Sequence, residues 1–154
     1  MDDGNSLRHK QILIVEDDPI QLRAACLPLE RKGYEIVALE SGEDAVDWLS
    51  DTAHVPDIVI LDAMMPGVSG FDVCRVLRAH GATKDVPVIF LTACRSHEEM
   101  AEASAAGSDL YLMKPVLPSR LVNMAEIFLS NDSPLLRRRP TSPEGSPDPD
   151  HSRV

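Results

Sequence analysis

The sequence predicts an α/β fold, a doubly wound five-stranded parallel sheet flanked by five helices. The first observation is that five short apolar runs alternate along the chain with five segments of helical character. Parallel strands need crossover connections, and these are usually helices. The second observation is that the runs are continuously apolar, which is typical of strands buried on both faces. A sheet covered by helices on both sides satisfies both observations.

Length and composition favour one domain in the cytoplasm. A chain of 154 residues with 44% hydrophobic residues can fill one core. No apolar stretch reaches the roughly 18 residues of a membrane span, and the acidic N-terminus lacks the order of a signal peptide. The three cysteines are not spaced as a metal or redox pair. A net charge of −10 argues against binding nucleic acid or acidic membranes.

The first half of the chain contains three predicted strands and the helices between them. Residues 12–15 form the first strand, and residues 35–39 form a second, shorter one. Between them, residues 19–32 are predicted to be a helix that begins at a proline and ends at Gly33, an arrangement that favours both ends. The apolar run at residues 58–61 is the third strand.

Three helix starts are marked by a serine that stands three residues before an acidic residue. This is the capping-box pattern or close to it, and it occurs at Ser41, Ser69 and Ser96. The second, third and fourth helices are therefore predicted to begin at these serines. Gly107 ends the fourth helix, and Pro118 opens the fifth, which runs to about residue 129. The runs at residues 86–91 and 110–113 are the remaining strands.

Carboxylates follow two of the predicted strands at their C-terminal ends. Asp62 ends the third strand, while Glu16, Asp17 and Asp18 follow the first. In a parallel sheet these ends meet in the crevice where such sheets bind ligands. Like charges held that closely repel one another unless a cation lies among them. The cluster therefore predicts a site for a hard divalent ion and a group that the ion can hold, such as a phosphoryl group.

Two further strand ends carry groups that suit such a site. Thr92 ends the fourth strand with a hydroxyl donor, and the small side chain of Ala93 follows it. Lys114 ends the fifth strand with a fixed cation, and Pro115 follows it. A threonine or a lysine at a strand end is by itself usually a turn or surface residue. It is the joint pattern that indicates a site.

These strand-end features together resemble the receiver domain of bacterial two-component response regulators. Their order agrees with that family, and so does their spacing, since Thr92 follows Asp62 by 30 residues and Lys114 follows Thr92 by 22. Residues 61–75 are close to the family's pattern around its phosphoacceptor. The resemblance covers residues 10–129 and implies a flavodoxin-like sheet with the strand order 2-1-3-4-5.

The resemblance also implies a role for each site residue. Asp62 is expected to accept a phosphoryl group from a phosphohistidine of a partner. Mg²⁺ is expected to be held by Asp17 directly, by Glu16 through water, by Asp62 and by the backbone carbonyl of Met64. Asp18 lies one place too far and is expected to face solvent or to cap the first helix.

The remaining roles concern charge compensation and switching. Lys114 is expected to hold Asp62 in place and to neutralise a phosphoryl oxygen, while Thr92 donates a hydrogen bond to another. In the family the Lys114–Pro115 peptide bond is cis. Tyr111 occupies a position at which the family carries a switch residue that turns inward as Thr92 moves, although an aromatic residue in a strand is ordinarily a core residue.

The predicted domain organisation is a flexible N-terminus (1–9), a receiver domain (10–130) and a disordered tail rich in proline and serine (131–154). No second domain is recognised, so we expect a stand-alone signalling receiver rather than an enzyme. The expected partners are a histidine kinase or histidine phosphotransfer protein and a downstream effector protein, with no direct contact to nucleic acid or membrane.

Three alternatives remain open at the level of sequence. The chain could be a receiver fragment of a larger regulator or hybrid kinase. It could be a receiver-like interaction module that is never phosphorylated, although all five site positions are filled. It could also be a phosphatase of the haloacid dehalogenase type, but that family needs a second aspartate two residues after the first, where this chain has Met64.

Overall fold

The computed structural model describes residues 9–93 and 96–130. Within these ranges five parallel strands form one sheet in the order β2-β1-β3-β4-β5, as predicted. The strands are β1 (Gln11–Val15), β2 (Glu35–Leu39), β3 (Ile58–Asp62), β4 (Val88–Thr92) and β5 (Leu110–Met113). The predicted N-terminal segment, apart from His9, and the predicted tail lie outside the described residues.

Five helices connect and cover the strands, and each begins close to the predicted residue. They are α1 (Pro19–Arg31), α2 (Gly42–Leu49), α3 (Gly70–Ala79), α4 (His97–Ala106) and α5 (Pro118–Leu129). Ser41, Ser69 and Ser96 are the N-caps of α2, α3 and α4, and each hydroxyl accepts a hydrogen bond from a backbone N–H in the first turn. Gly33 and Gly107 follow the ends of α1 and α4 with positive φ angles of 97° and 101°.

The sheet separates two apolar cores. Helices α1 and α5 cover one face, where the side chains of Ile12, Ile14 and Ile60 are buried. Helices α2, α3 and α4 cover the other face, where the alternate strand residues Leu13 and Leu61 are buried. Because every central strand is buried on both sides, the strands show the continuous apolar runs that the sequence carries. No helix among the described residues is long and apolar enough to cross a bilayer.

The start of α3 lies directly against the end of β3. The Gly70 N–H donates to the carbonyl oxygen of Ala63 over 3.0 Å. A Cβ atom at Gly70 would lie 2.2 Å from the carbonyl oxygen of Asp62, a distance that no side chain can adopt. The turn between the two elements includes Gly67, whose φ of 75° favours glycine. This close approach determines the path of the chain after Asp62.

A largely buried arginine connects α3 to the segments that precede β4 and β5. The guanidinium of Arg78 donates to the carbonyl oxygens of Val86 and Gly107 over 2.6 and 2.7 Å. It also pairs with the carboxylate of Asp109 over 3.0 Å, and both side chains are largely buried. Asp109 in turn accepts a hydrogen bond of 2.8 Å from the backbone N–H of Val88. Arg78 thus joins α3 to the start of β4 and the turn before β5.

Candidate functional site

The predicted carboxylates meet at the C-terminal edge of the sheet. Asp62 is the last residue of β3, and Glu16 and Asp17 directly follow β1, which pairs with β3. One carboxylate oxygen from each of these three residues lies within 4.8 Å of the other two. Glu16 and Asp62 are buried, whereas Asp17 is exposed. The strand ends therefore assemble the acidic cluster that the sequence predicts.

The Asp62 carboxylate lies in an environment that opposes its charge. Burial is the main cause that raises its pKa, and the neighbouring Glu16 carboxylate raises it further, to about 6. The Lys114 ammonium and a hydrogen bond from the Met64 N–H to Asp62 Oδ1, 3.3 Å long, act in the opposite direction. A cation close to Oδ2 would relieve this repulsion.

Lys114 supplies part of that positive charge. Its Nζ donates to Glu16 Oε1 over 2.6 Å and lies 3.7 Å from Asp62 Oδ2. The peptide bond between Lys114 and Pro115 is cis, as the family resemblance implied. The amine thus forms the expected ion pair with Asp62, while its hydrogen bonds are made to Glu16 and to Gln21.

Asp18 and Gln21 form the rim of the site at the start of α1. Asp18 Oδ1 accepts hydrogen bonds from the N–H groups of Ile20 and Gln21, so this residue caps the helix, one of its two expected roles. The pKa of Asp18 is lowered mainly by the hydrogen bond from the Gln21 N–H and then by that from the Ile20 N–H. The Gln21 side chain donates to Asp18 Oδ2 and accepts from Lys114 Nζ over 2.6 Å. Sequence analysis missed Gln21, because a glutamine in a first helical turn carries no distinctive signal.

Thr92 is the last residue of β4, the strand next to β3, and its side chain is buried. Its hydroxyl donates to Glu99 Oε1 over 2.9 Å. The hydroxyl of Tyr111 on β5 donates to the same oxygen. Glu99 was predicted only as the acidic residue of the α4 cap, and its N–H is indeed capped by Ser96. The contact of its carboxylate with both Thr92 and Tyr111 was not predicted.

An open cavity of about 520 Å³ is lined by the three carboxylates together with Thr92 and Lys114. The Met64 side chain is 59% exposed at its edge. Cys94, two residues after Thr92, lies outside the described residues. The donors on the acidic side of the cavity are carboxylate oxygens, the ligand type that Mg²⁺ prefers, and the ion usually keeps several waters beside one or two carboxylates. The donor set therefore fits this ion.

Comparison with known proteins identifies a family. The family model described as response regulator receiver domain matches residues 12–126. This range begins at the second residue of β1 and ends within α5, so it includes the four later strands in full and all site residues discussed above.

The chain is also similar to curated regulators. It is 33% identical over 146 residues to the phosphate regulon transcriptional regulatory protein PhoB of Klebsiella pneumoniae, covering 94% of this chain and 63% of that protein. It is 36% identical over 113 residues to the DNA-binding response regulator MtrA of Mycolicibacterium smegmatis, covering 73% of this chain and 47% of that protein. The chain thus spans less than two thirds of PhoB and about half of MtrA.

Solved structures share the fold. The receiver domain of a signal transduction histidine kinase from Syntrophus aciditrophicus superposes with a TM-score of 0.73 at 30% identity, covering 86% of this chain and 96% of that one. The receiver domain of a sensor histidine kinase from Pseudomonas aeruginosa superposes with a TM-score of 0.72 at 26% identity, covering 79% and 98%. The latter structure is described with a magnesium ion coordinated in its active site cleft.

Proposed function

This chain belongs to the response regulator receiver family, and on that premise we propose that it is a phosphorylation-dependent signalling switch with Asp62 as its phosphoacceptor. The observation that carries the proposal is the cluster of three carboxylates at the sheet edge, with Lys114 beside it. Receiver domains are signalling modules of two-component systems. We therefore propose a switch that assists its own phosphorylation and does not turn over a substrate.

The proposed reaction is transfer of a phosphoryl group from a histidine of a partner to Asp62. A carboxylate oxygen of Asp62 attacks phosphorus, a new O–P bond forms, and the P–N bond to the imidazole breaks, with its electron pair leaving on the ring nitrogen. Because the Met64 N–H binds Oδ1, Oδ2 on the side of Lys114 is the better placed nucleophile. Lys114 can then neutralise a phosphoryl oxygen as charge develops.

Magnesium is part of the proposal. Asp17 and Asp62 would hold the ion directly, Glu16 would act through water, and the Met64 carbonyl would complete the protein ligands. When bound, the ion neutralises the carboxylates and draws charge from the phosphoryl oxygens. The carboxylate oxygens within 4.8 Å of one another support this assignment, as does the magnesium described for the related Pseudomonas receiver domain.

Thr92 and Tyr111 are proposed to report the phosphorylated state. Thr92 lies at the end of the strand next to Asp62, so its hydroxyl can reach a phosphoryl oxygen after a small movement. Tyr111 shares an acceptor with Thr92, so a movement of Thr92 changes the surroundings of the tyrosine. The changed surface near β5 would then alter the binding of a partner.

The proposed partners are a histidine kinase or histidine phosphotransfer protein and a downstream effector protein, and the proposed location is the cytoplasm. PhoB and MtrA are by name a transcriptional and a DNA-binding regulator, but the chain spans only part of their length. With a net charge of −10, this chain is proposed to act through proteins and not by touching nucleic acid itself.

The proposal is tested by incubating the protein with Mg²⁺ and acetyl phosphate, a small phosphodonor, and measuring intact mass. We expect one phosphoryl group on the wild type and none on Asp62→Asn, which keeps the shape but removes the anionic nucleophile. The site is then located by reducing the acyl phosphate with borohydride and sequencing the peptide. Equal labelling of the Asn variant at another residue would contradict the proposal.

A further inference from the structure

Glu99 holds an unusual position for a carboxylate in the first turn of a helix. Its side chain is only 6% exposed and points from α4 toward the ends of β4 and β5. Oε1 accepts hydrogen bonds from two hydroxyls, those of Thr92 and Tyr111. Among the side chains in the described ranges, Glu99 Oε2 is the buried polar atom without a hydrogen-bond partner. A capping role alone does not explain a carboxylate that is buried in this way.

The two hydroxyls are what stabilises this carboxylate where it lies. A buried charge is costly unless it is hydrogen-bonded, and hydrogen bonds to a charged acceptor are about twice as strong as those between neutral groups. Since Oε2 contributes no such bond, most of the local stabilisation comes from Thr92 and Tyr111. The arrangement therefore favours a state in which the Thr92 hydroxyl points to α4.

The Thr92 hydroxyl carries a single proton and cannot donate it in two directions. In this structure the proton is directed to Glu99. In the phosphorylated state of the proposed function it would be directed to a phosphoryl oxygen on Asp62. The two hydrogen bonds are therefore mutually exclusive. The stronger the bond to Glu99, the less free energy is gained when Thr92 bonds to a phosphoryl oxygen instead.

We propose that Glu99 is a positioning residue that holds Thr92 away from Asp62 in the unphosphorylated protein and so limits how readily the site takes up a phosphoryl group. This inference rests on the proposed function and adds to it the regulation of the same site. The Glu99 carboxylate bonds to Thr92 and Tyr111 and not to Asp62, so it acts on the phosphoacceptor through Thr92. Because the Tyr111 hydroxyl on β5 donates to the same oxygen, the release of Thr92 also changes the hydrogen bonding of β5.

The test is a titration with beryllium fluoride, a stable mimic of the phosphoryl group on aspartate, in the presence of Mg²⁺ and followed by calorimetry. Removal of an interaction made only in the free state must raise the affinity for the mimic. We expect Glu99→Gln to bind about fivefold more tightly than the wild type or better, because a neutral acceptor holds the Thr92 hydroxyl less strongly. Glu99→Met, which removes both oxygens, should show at least the same effect.

The matched control is Glu98→Gln, an exposed neighbour in the same helical turn that undergoes the same change of charge. Its affinity should equal that of the wild type. A second comparison uses Thr92→Val, in which no hydroxyl competes. In that background Glu99→Gln should have no further effect, a result that a general loosening of the fold would not produce.

Each outcome decides between the claims. If Glu99→Gln binds like the wild type, or gains as much in the Thr92→Val background, the inference is wrong while the phosphoacceptor role of Asp62 stands. If Glu99→Gln binds more weakly, Glu99 assists phosphorylation and the inference is also wrong. If the wild type neither binds the mimic nor takes label from acetyl phosphate, the proposed function fails, and the inference fails with it.

Discussion

At the scale of single residues, the Asp62 carboxylate opposes the stability of the metal-free fold. A carboxyl group whose pKa is higher in the folded protein than in the unfolded chain binds its proton more tightly when folded. Its ionisation therefore costs folding free energy, and this cost grows as the pH rises from about 4 through about 6. Burial and the neighbouring Glu16 carboxylate suit Asp62 to a cation and, as proposed, to a phosphoryl group. The same surroundings destabilise the fold when no cation is bound.

Asp62→Asn should therefore stabilise the protein in the absence of metal. We expect a gain of about 1–2 kcal/mol in the free energy of unfolding at pH 7.5, less than the full pKa shift implies because water reaches the carboxylate from the cavity. The gain should nearly vanish at pH 4, where both side chains are neutral in the fold. Urea unfolding at the two pH values in EDTA measures it. A gain that is the same at both would mean that charge is not the cause.

Two positions in the sequence lead to an expectation about the lifetime of the proposed phosphoryl group. Hydrolysis needs a water placed in line behind phosphorus, and the side chains two residues after Asp62 and after Thr92 are Met64 and Cys94. Neither is a good hydrogen-bond partner for an attacking water, and Met64 can cover the approach. We expect slow autodephosphorylation, with termination by a phosphatase or by return transfer to a histidine.

The measurement is the decay of the phosphorylated protein alone in Mg²⁺, compared with a Met64→Asn, Cys94→Glu double variant. Polar side chains at both positions should accelerate decay by about tenfold or more, because an oriented water gains part of the advantage of a preorganised reactant. Decay of the natural protein within seconds, or no acceleration in the double variant, would argue against this view.

The sequence allowed some site residues to be predicted and not others, for a physical reason. Asp62 and Thr92 end parallel strands and Lys114 directly follows one, so their positions in the fold follow from where each strand stops. Gln21 and Glu99 reach the site from helices, and which groups a helical side chain meets depends on how the helix packs. That packing is a tertiary property which no local pattern carries.

At the scale of elements, the start of α1 divides two neighbouring acids between two tasks. Asp17 contributes an oxygen to the carboxylate cluster, whereas Asp18 caps the helix. Helix caps of this kind are also the reason why local rules predicted the helix starts well. Caps are satisfied within one turn of the chain, so a serine and an acid at the right spacing contain most of the information.

Substitution of the two acids separately should separate the two tasks. We expect Asp17→Ala to weaken Mg²⁺ binding by about tenfold or more, since an ionised ligand is lost, and to leave α1 intact. Asp18→Ala should lower the unfolding midpoint through loss of the cap and retain most of the Mg²⁺ affinity. Magnesium titration and thermal unfolding of both variants measure this. Unchanged affinity in Asp17→Ala would mean that Asp18 is the ligand.

At the scale of the whole molecule, Arg78 joins elements that are distant in sequence. Its bonds to Gly107 and Asp109 bring α3 against the turn before β5, and its bond to Val86 holds the start of β4. Because these contacts join three separate segments, namely α3, the start of β4 and the turn before β5, their loss should affect the cooperativity of the entire domain and not one helix only. The sequence did not single out Arg78, since a lone arginine in a helix is usually solvated.

Arg78→Ala should destabilise the protein by about 2–4 kcal/mol, because it removes the guanidinium that pairs with the largely buried Asp109 and donates to the carbonyl groups of Val86 and Gly107. The matched control is Arg75→Ala in the same helix, whose partners Asp72 and Glu102 are about half exposed and whose loss should cost less than about 1 kcal/mol. Urea unfolding followed by the fluorescence of Trp48 and by circular dichroism measures both. Similar losses in the two variants would contradict the structural role of Arg78.

The strand order illustrates how far a sequence alone carries the architecture. Continuous apolar runs predict strands that are buried on both faces, and the alternation of elements predicts parallel pairing. The full order 2-1-3-4-5 could be predicted only from the family resemblance, because the spacing of the elements along the chain does not determine which strands pair. The structure confirms the order.

The close approach of Gly70 to the carbonyl oxygen of Asp62 distinguishes a residue that the fold requires from a residue that the proposed function requires. The glycine is demanded by space at the backbone, and this demand does not depend on which side chain stands at position 62. A descendant gene that replaced the aspartate would lose the proposed phosphoacceptor, and we expect it to keep the glycine as long as the fold was needed. In a related sequence, the glycine would therefore indicate that the fold is retained, whereas the aspartate would indicate that the proposed phosphoacceptor is retained as well.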